Sequence, residues 1–164
     1  MTTRRFDRPE ELFEHQLRSA LTMEHDSLTA LQKLGKSARS DEVKELLSHH
    51  EDETREQIQN LERGFELLEL ERRTAPSPAT KALLEEGAGL VARSDDGLVD
   101  TVVLTAAMGT EHHEISVYEG LVIAAEALGF SEVQELLQRN LEQERHTSEE
   151  LAATARRLAA SIAA

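Results

Sequence analysis

One helical stripe constrains the fold of this chain more than any other feature. Its members recur at spacings of three and four residues, and a glutamate stands in the middle of its apolar residues: Leu104, Met108, Glu111, Ile115, Tyr118, Val122 and Ala125. Glu114, three residues after Glu111, leans to the same side of the predicted helix. Because burying an unpaired carboxylate is strongly unfavourable, these glutamates require a hydrogen-bond partner, a proton or a metal ion.

The composition predicts an all-α protein with a single domain over residues 1–164. Helix-forming residues dominate, whereas the chain has no tryptophan, one tyrosine, eight glycines and three prolines. A length of 164 residues suits one domain with a hydrophobic core.

The charge and the cysteine count exclude several classes of function. The net charge of −14 opposes attraction to phosphate backbones and anionic lipid, so we expect no nucleic-acid or membrane partner. Because the chain has no cysteine, any metal site must use carboxylate and imidazole ligands. The longest apolar runs are too short to span a bilayer and the N-terminus lacks a signal-peptide core, which predicts a cytoplasmic protein.

Helix-terminating signals divide the chain into four long helices and a crossover. Asp7 and Glu10 resemble a capping box for the first helix, Ser40 is a candidate N-cap for the second, and Gly129 is a candidate C-cap for the third. The pattern predicts two antiparallel helical pairs that form a four-helix bundle. The predicted helices cover residues 8–36, 41–71, 95–128 and 131–161, and a crossover over 72–94 contains a short helix over 81–92.

Each long helix carries a glutamate near the middle of its inward stripe. Glu24 and Glu53 are almost equally far in sequence from the first interhelical turn, and Glu114 and Glu144 are equally far from Gly129. Antiparallel neighbours would hold these carboxylates at one height, which is the arrangement of bundles that bind two transition-metal ions. Four ionised glutamates also balance two divalent cations. The alternative is a metal-free carboxyl network that shares protons.

Four further polar residues have less specific positions. His50 alone among the histidines has a clear inward position and is the predicted imidazole ligand, the alternative being a core histidine bonded to a carboxylate. Gln57 and Tyr118 lie on inward stripes, where they can hydrogen-bond ligand carboxylates or simply pack in the core. His113 flanks the stripe of the third helix and is a candidate contact of the ligands.

Three motifs carry a resemblance to a known family. They are His50-x-x-Glu53-Thr54-x-x-Gln57, then Glu111-His112-His113-Glu114-Ile115 with Tyr118, and Glu144 before Leu151. With these motifs, residues from about 9 to 155 resemble the YciE/YciF family of ferritin-like stress proteins. The resemblance implies a ferritin-like bundle, a dimer and a di-iron or related centre. The metal ligands that it implies are Glu24, His50, Glu53, Glu111, Glu114 and Glu144.

The sequence also departs from better-known relatives of that fold. The Glu-x-x-His signature of ferritins and rubrerythrins is replaced by the reversed order from His50 to Glu53. His113 stands where the YciE/YciF family more usually has an aromatic residue. The nitrogen ligands are therefore the least determined part of the predicted site.

Taken together, these patterns predict a ferritin-like di-metal carboxylate protein of the stress response. Its expected cofactor is two iron ions, or manganese, and its expected small-molecule partners are peroxide or O2. The sequence does not decide between metal binding alone and turnover of the ferroxidase or peroxidase type. The alternatives are a manganese-catalase-like or rubrerythrin-like peroxidase and, from another class, a metal-free helical scaffold.

Apolar residues outside the inward stripes predict a homodimer. They lie on three long helices and on the crossover helix: Leu12, Leu70, Val102, Val103, Leu83, Leu84, Leu90 and Val91. A closed two-fold dimer is the commonest soluble oligomer. The alternative is that the crossover helix covers only its own bundle.

Overall fold

The computed structural model describes residues 5–162. These residues form five α-helices and no strand, which confirms the predicted all-α class. The helices are α1 (Pro9–Ser37), α2 (Asp41–Leu67), α3 (Pro78–Val91), α4 (Val99–Leu128) and α5 (Ser131–Ile162), and a 3-10 turn (Asp96–Leu98) precedes α4. Within this part of the chain, no helix combines the length and the apolarity needed to cross a bilayer.

Local capping explains where three of the helices begin or end. The side chain of Ser40 accepts a hydrogen bond from the Val43 amide, as the sequence predicts. Gly129 ends α4 in the left-handed conformation with φ of 73°. The capping box predicted at Asp7 is wrong, because Arg8 takes the N-cap position without a side-chain hydrogen bond and Pro9 opens α1.

Helix α2 ends four residues earlier than predicted. Leu67 is its last residue, and Glu69 takes a left-handed backbone conformation with φ of 54°. The Leu70 amide then bonds back to the Phe65 carbonyl at 2.9 Å, which closes the helix end. Since glycine usually fills such a position, a glutamate there gives no signal in the sequence.

The bounds of the crossover helix and of α4 also differ from the predicted ones. Helix α3 begins at Pro78 rather than at 81, since proline is well suited to the first turn of a helix. Helix α4 begins at Val99 rather than at 95, because the preceding residues form the 3-10 turn. Asp100 accepts backbone hydrogen bonds from Arg39 at 2.6 Å and Ser40 at 2.8 Å, so the start of α4 is fixed to the turn between α1 and α2.

The four long helices pack around a shared interior. Helix α1 contacts α2 and α4, and α5 also contacts α2 and α4. Contacts between α2 and α5 join Glu53 to Thr147 and Asn60 to Asn140, so the two helices are antiparallel. The contacts between α1 and α4 follow the same antiparallel order.

Two apolar clusters fill the ends of this interior. One lies towards the turn between α4 and α5, and the other lies towards the turn between α1 and α2. The first includes Phe13, Phe65, Leu121 and Leu137, and the second includes Leu31, Leu47, Leu104 and Leu151. On every long helix the segment between the two clusters carries buried polar side chains.

The crossover packs on its own chain. The linker before α3 bonds to α1, where the Thr22 hydroxyl donates to the Ala75 carbonyl at 2.6 Å. Helix α3 lies against α1 and α4, and Gly87 sits so close to α4 that an added Cβ would come within 2.9 Å of the Ala106 methyl group. A larger residue would therefore push the two helices apart.

The eight apolar residues predicted for a dimer surface differ in how far the fold buries them. Val103 is fully buried, and Leu70 and Val91 pack against the apolar clusters of their own chain, so these three belong to the fold rather than to a free surface. Leu12 and Leu90 are exposed by 43% and 42%. Val102, Leu83 and Leu84 are half-buried, so Leu12 and Leu90 are the most exposed of the eight.

Candidate metal centre

A layer of buried polar side chains separates the two apolar clusters, and we call it the polar layer. All four long helices contribute to it, because on each of them polar residues occupy core-facing positions of an otherwise apolar stripe. Its members are Glu24, Ser27, His50, Thr54, Gln57, Thr110, Glu111, Glu114, Asn140, Glu144, Thr147 and Ser148.

Four of the predicted ligands converge within the polar layer. His50 on α2, Glu111 and Glu114 on α4 and Glu144 on α5 each place one ligand atom within 4.8 Å of the other three. His50 Nε2 lies 3.2 Å from Glu111 Oε1. Glu111 and Glu114 reach the same region because residues three apart are neighbours on a helix surface.

Glu24 is the predicted ligand from α1, and it lies beside these four groups. It is fully buried, and its Oε1 accepts a hydrogen bond from the Tyr118 hydroxyl of α4. Burial raises its pKa well above the ordinary value, and the negative charges of Glu114 and Glu144 raise that pKa further. Glu24 is therefore close enough to act on the converging carboxylates electrostatically.

Glu53 is the most exposed of the six predicted ligands, with 13% of its side chain accessible. Its Oε2 accepts a hydrogen bond from Thr147 at 2.7 Å, and its Oε1 lies 3.6 Å from His49 Nε2. The pKa of Glu111 and that of Glu144 are raised first by burial and also, to a lesser extent, by the charge of Glu53. Glu53 thus links the polar layer to the surface between α2 and α5.

The residues predicted to support the ligands have different surroundings. Tyr118 contacts Glu24, and the Asn140 amide donates to the Tyr118 oxygen at 3.0 Å. Gln57 receives a hydrogen bond from Asn140 at its backbone carbonyl, at 3.2 Å, while its side-chain oxygen has no donor among the described residues. His113 is half-buried, and no hydrogen bond within residues 5–162 joins it to a predicted ligand.

Three supporting residues were not singled out as such from the sequence. The Ser27 hydroxyl donates to Glu114 Oε1, Thr147 donates to Glu53, and Asn140 joins Tyr118 to α2. Ser27 follows Glu24 by three residues, and Thr147 follows Glu144 by three. Residues at that spacing share a helix face, so this spacing is the signal that could have identified them.

Several ligand atoms of the polar layer have no hydrogen-bond donor in the described part of the chain. They are one oxygen each of Glu24, Glu111 and Glu114, both oxygens of Glu144, and Nδ1 of His50. Buried polar atoms in folded proteins are nearly always paired. The polar layer therefore requires either protons shared between carboxyls or bound cations.

Burial sets the protonation of this site when no cation is bound. It raises the pKa of Glu114 to about 7 and those of Glu24, Glu111 and Glu144 well above their ordinary values. Burial also lowers the pKa of His50 to about 4, so its imidazole is neutral at neutral pH and keeps a lone pair for a cation. A divalent cation would replace the protons that the carboxyls otherwise hold.

The donor set fits a transition metal. Carboxylate and imidazole ligands suit iron and manganese, and no thiolate is present in the chain. His50, Glu111, Glu114 and Glu144 could hold a metal ion, and the carboxylates of Glu24 and Glu53 lie close enough to act on them electrostatically.

Comparison with known proteins gives the family. A family model described as "Domain of unknown function (DUF892)" matches residues 8–164. The chain belongs to the DUF892 family. This membership agrees with the resemblance to the YciE/YciF proteins. Protein YciF of Escherichia coli (strain K12), a relative of this DUF892 chain, is 29% identical over 140 residues, which cover 84% of each chain.

Solved structures resemble this DUF892 chain over most of its length. YcfI from Rhodopseudomonas palustris has a TM-score of 0.89 at 27% identity, and the match covers 93% of this chain and 98% of YcfI. The crystal structure of the E. coli stress protein YciF has a TM-score of 0.88 at 27% identity and covers 94% and 98% of the two chains. A protein from Xanthomonas campestris, with a TM-score of 0.77 at 24% identity and coverage of 94% and 95%, shares the fold.

Proposed function

We propose that the polar layer is a carboxylate site for two transition-metal ions, with iron the first candidate and manganese the second. The four long helices form a ferritin-like bundle around it, and the protein acts in the cytoplasm during stress by binding iron. The observation that carries the proposal is the convergence of His50, Glu111, Glu114 and Glu144 within 4.8 Å at buried positions. The E. coli relative is itself described as a stress protein.

Charge balance supports two cations rather than one. Five glutamates surround the site, and four of them are buried. Several buried carboxylates cannot all ionise without compensating charge, because their mutual repulsion adds to the loss of hydration. Two divalent cations supply four positive charges. Glu53, whose side chain is 13% exposed and is the most accessible of the five, gives an incoming cation its first contact with the layer.

The side chains of the polar layer then have defined roles. His50 offers a neutral imidazole, and the glutamates offer carboxylates whose free oxygens have no other donor within residues 5–162. Burial raises the pKa of Tyr118, and so do the charges of Glu24 and Glu144, so its hydroxyl keeps its proton and orients Glu24. His50 and the glutamates would hold the two ions, which would supply redox chemistry towards peroxide or O2, the reaction class expected of this site.

A metal-free scaffold is the second candidate. It is favoured by the contacts that some carboxyls already have, namely Tyr118 with Glu24, Ser27 with Glu114 and Thr147 with Glu53. YcfI has also been suggested to be a structural protein. In this case the remaining carboxyls would hold protons at neutral pH.

Metal analysis of protein purified without chelator separates the two candidates. About two iron or manganese ions per chain are expected from a site of this type. The Glu86→Ala variant, on the exposed side of α3, should retain the same stoichiometry. Purified protein without transition metal that also takes up neither Fe(II) nor Mn(II) during anaerobic dialysis would support the scaffold instead.

A further inference from the structure

An apolar groove lies between α1, α3 and α4, on the outside of the bundle. It encloses about 320 Å³, and most of its floor consists of apolar side chains such as Ala30, Leu34, Leu84 and Ala106. Two lysines, Lys33 and Lys81, lie among the charged residues that also line it. None of the predicted metal ligands belongs to this groove.

A much smaller void lies between the region of the groove and the polar layer. It holds about 10 Å³ and is lined on one side by His50 and Glu111. Ala30, Leu34, Leu84 and Thr110 line both the groove and the void, so these four residues form the wall between them. Leu84 is the only one of the four that belongs to α3.

The walls of the void select the kind of molecule that can pass. Leu31, Ala107 and Ser27 complete the lining, whose accessible surface is mainly apolar, and the volume is about that of one water molecule. A hydrated cation would have to lose its water among apolar side chains, which is costly. Hydrogen peroxide would leave its hydroxyl groups unpaired over most of the passage. A neutral diatomic molecule meets neither obstacle.

Helix α3 is the part of the wall that can move most easily. Among its residues only Thr80 and Gly87 are buried, whereas each long helix buries a continuous stripe. Segments with few buried contacts open at lower free energy than the core. A small displacement of α3 would withdraw the Leu84 side chain and join the groove to the void.

We propose that this groove and void are the route by which dioxygen reaches the polar layer, and that Leu84 sets the width of the route. The identity of dioxygen as the molecule that uses the route rests on the proposed function. The route itself is a property of the metal-free chain. Its test therefore uses metal-free protein and remains readable even if no metal ever binds.

Dissolved dioxygen is paramagnetic, and its contact with a methyl group can be measured as broadening of that group's NMR signal. In wild-type protein under oxygen pressure, the methyl groups of Ala107 and Leu31, which line the void, should broaden more than those of Leu137. Leu137 is also buried, at 2% exposure against 4% for Ala107 and 5% for Leu31, but lies in the opposite apolar cluster. Equal broadening of all three residues in the wild-type protein would overturn the proposal.

Two substitutions on α3 test the role of Leu84. Leu84→Trp should reduce the broadening of Ala107 several-fold, whereas Leu90→Trp, at an exposed site outside both spaces, should leave it at the wild-type value. Leu84→Phe serves if the tryptophan variant does not give a folded spectrum. Unchanged broadening of Ala107 in a folded Leu84 variant would contradict the assignment of this residue.

Discussion

At the scale of single residues, the molecule is organised by glutamates that stand where apolar side chains are expected. Counting residues from the interhelical turns predicts that Glu24, Glu53, Glu114 and Glu144 share one height, and the structure places all four in or beside one layer. Counting cannot decide which side chains converge, because that depends on rotamers and on helix rotation. The structure brings His50 and Glu111 into contact and leaves Glu24 beside the cluster.

A substitution of Glu144 shows whether this residue is a metal ligand or only a buried acid of the fold. Glu144→Gln keeps the shape of the side chain but removes its charge, so Fe(II) affinity should fall by more than about tenfold, the scale of losing even an outer contact of a metal site. In chelated protein at pH 8 the same change removes a buried acid with a raised pKa, so the melting temperature should stay the same or rise.

Equilibrium dialysis and thermal unfolding with and without chelator provide the two readings. Glu86→Gln, on the exposed side of α3, is the matched control and should change neither quantity. If Glu144→Gln bound Fe(II) as tightly as the wild type, Glu144 would not be a ligand.

The metal-free protein should lose stability as the pH rises from about 6.5 to 8.5. The pKa of Glu114 is raised by burial to about 7, and burial also raises those of Glu111 and Glu144 well above their ordinary values. Unfolded carboxyls have already lost their protons in this range, so the native state binds more protons and its free energy of unfolding falls. The slope is about 1.4 kcal/mol per pH unit for each carboxyl still protonated.

Urea unfolding in the presence of chelator measures this dependence. Burial lowers the pKa of His50 to about 4, so the native histidine is already neutral in this range, whereas the unfolded histidine still binds some protons near the lower pH limit. This difference makes the free energy of unfolding rise with pH, but only near that lower limit. Metal-loaded protein should show the reverse slope, because protons compete with the cation. Greater stability of the chelated protein at pH 8.5 than at 6.5 would show that these carboxyls are ionised in the native state.

At the scale of helices, the positions of the elements follow from periodicity, while several of their ends do not. Stripes of apolar residues predict all four long helices, and Ser40 and Gly129 mark termini that the structure has. The end of α2 depends on Glu69 in a left-handed conformation, which tertiary packing imposes and the sequence does not announce. Leu70 packs against the first apolar cluster directly after that turn.

Of the two glycines of α3, Gly87 packs closely against α4 and Gly89 faces open space, so substitutions at the two positions test how this helix packs. An added methyl group at Gly87 would meet Ala106, whereas Gly89 has nothing within 4 Å. Gly89→Ala should stabilise α3 by about 0.5–1 kcal/mol through helix propensity. In Gly87→Ala, overpacking against Ala106 should destabilise the packing of α3 on α4 by about 1–3 kcal/mol, which outweighs the gain in helix propensity.

Hydrogen exchange over residues 78–91 distinguishes the two variants. Exchange should become slower in Gly89→Ala and faster in Gly87→Ala, because only the second separates α3 from α4. Slower exchange in both variants would contradict this, because it would mean that the structure accommodates the added methyl group beside Ala106 without displacing α3.

At the scale of the whole molecule, the exposed apolar residues bear on self-association. Leu12, Leu90, Leu98 and Ile123 remain exposed by 43, 42, 50 and 67%, although Val103 and Leu70 are accounted for within the chain. The sequence could not separate these two groups, because helical periodicity does not show which outer face α3 and the linker cover.

We propose that the protein forms a two-fold homodimer through part of this exposed surface. Light scattering at micromolar concentration should then give about twice the chain mass of 18.3 kDa. A mass of one chain would contradict the dimer, and a particle of many chains would indicate a cage instead.

The most direct test of the central claim is anomalous X-ray diffraction from crystals grown with Fe(II) under anaerobic conditions, or with Mn(II). Two anomalous peaks per chain are expected inside the polar layer, and His50, Glu111, Glu114 and Glu144 should surround them. Peaks only at surface carboxylates, or a polar layer without any peak at saturating metal, would contradict it.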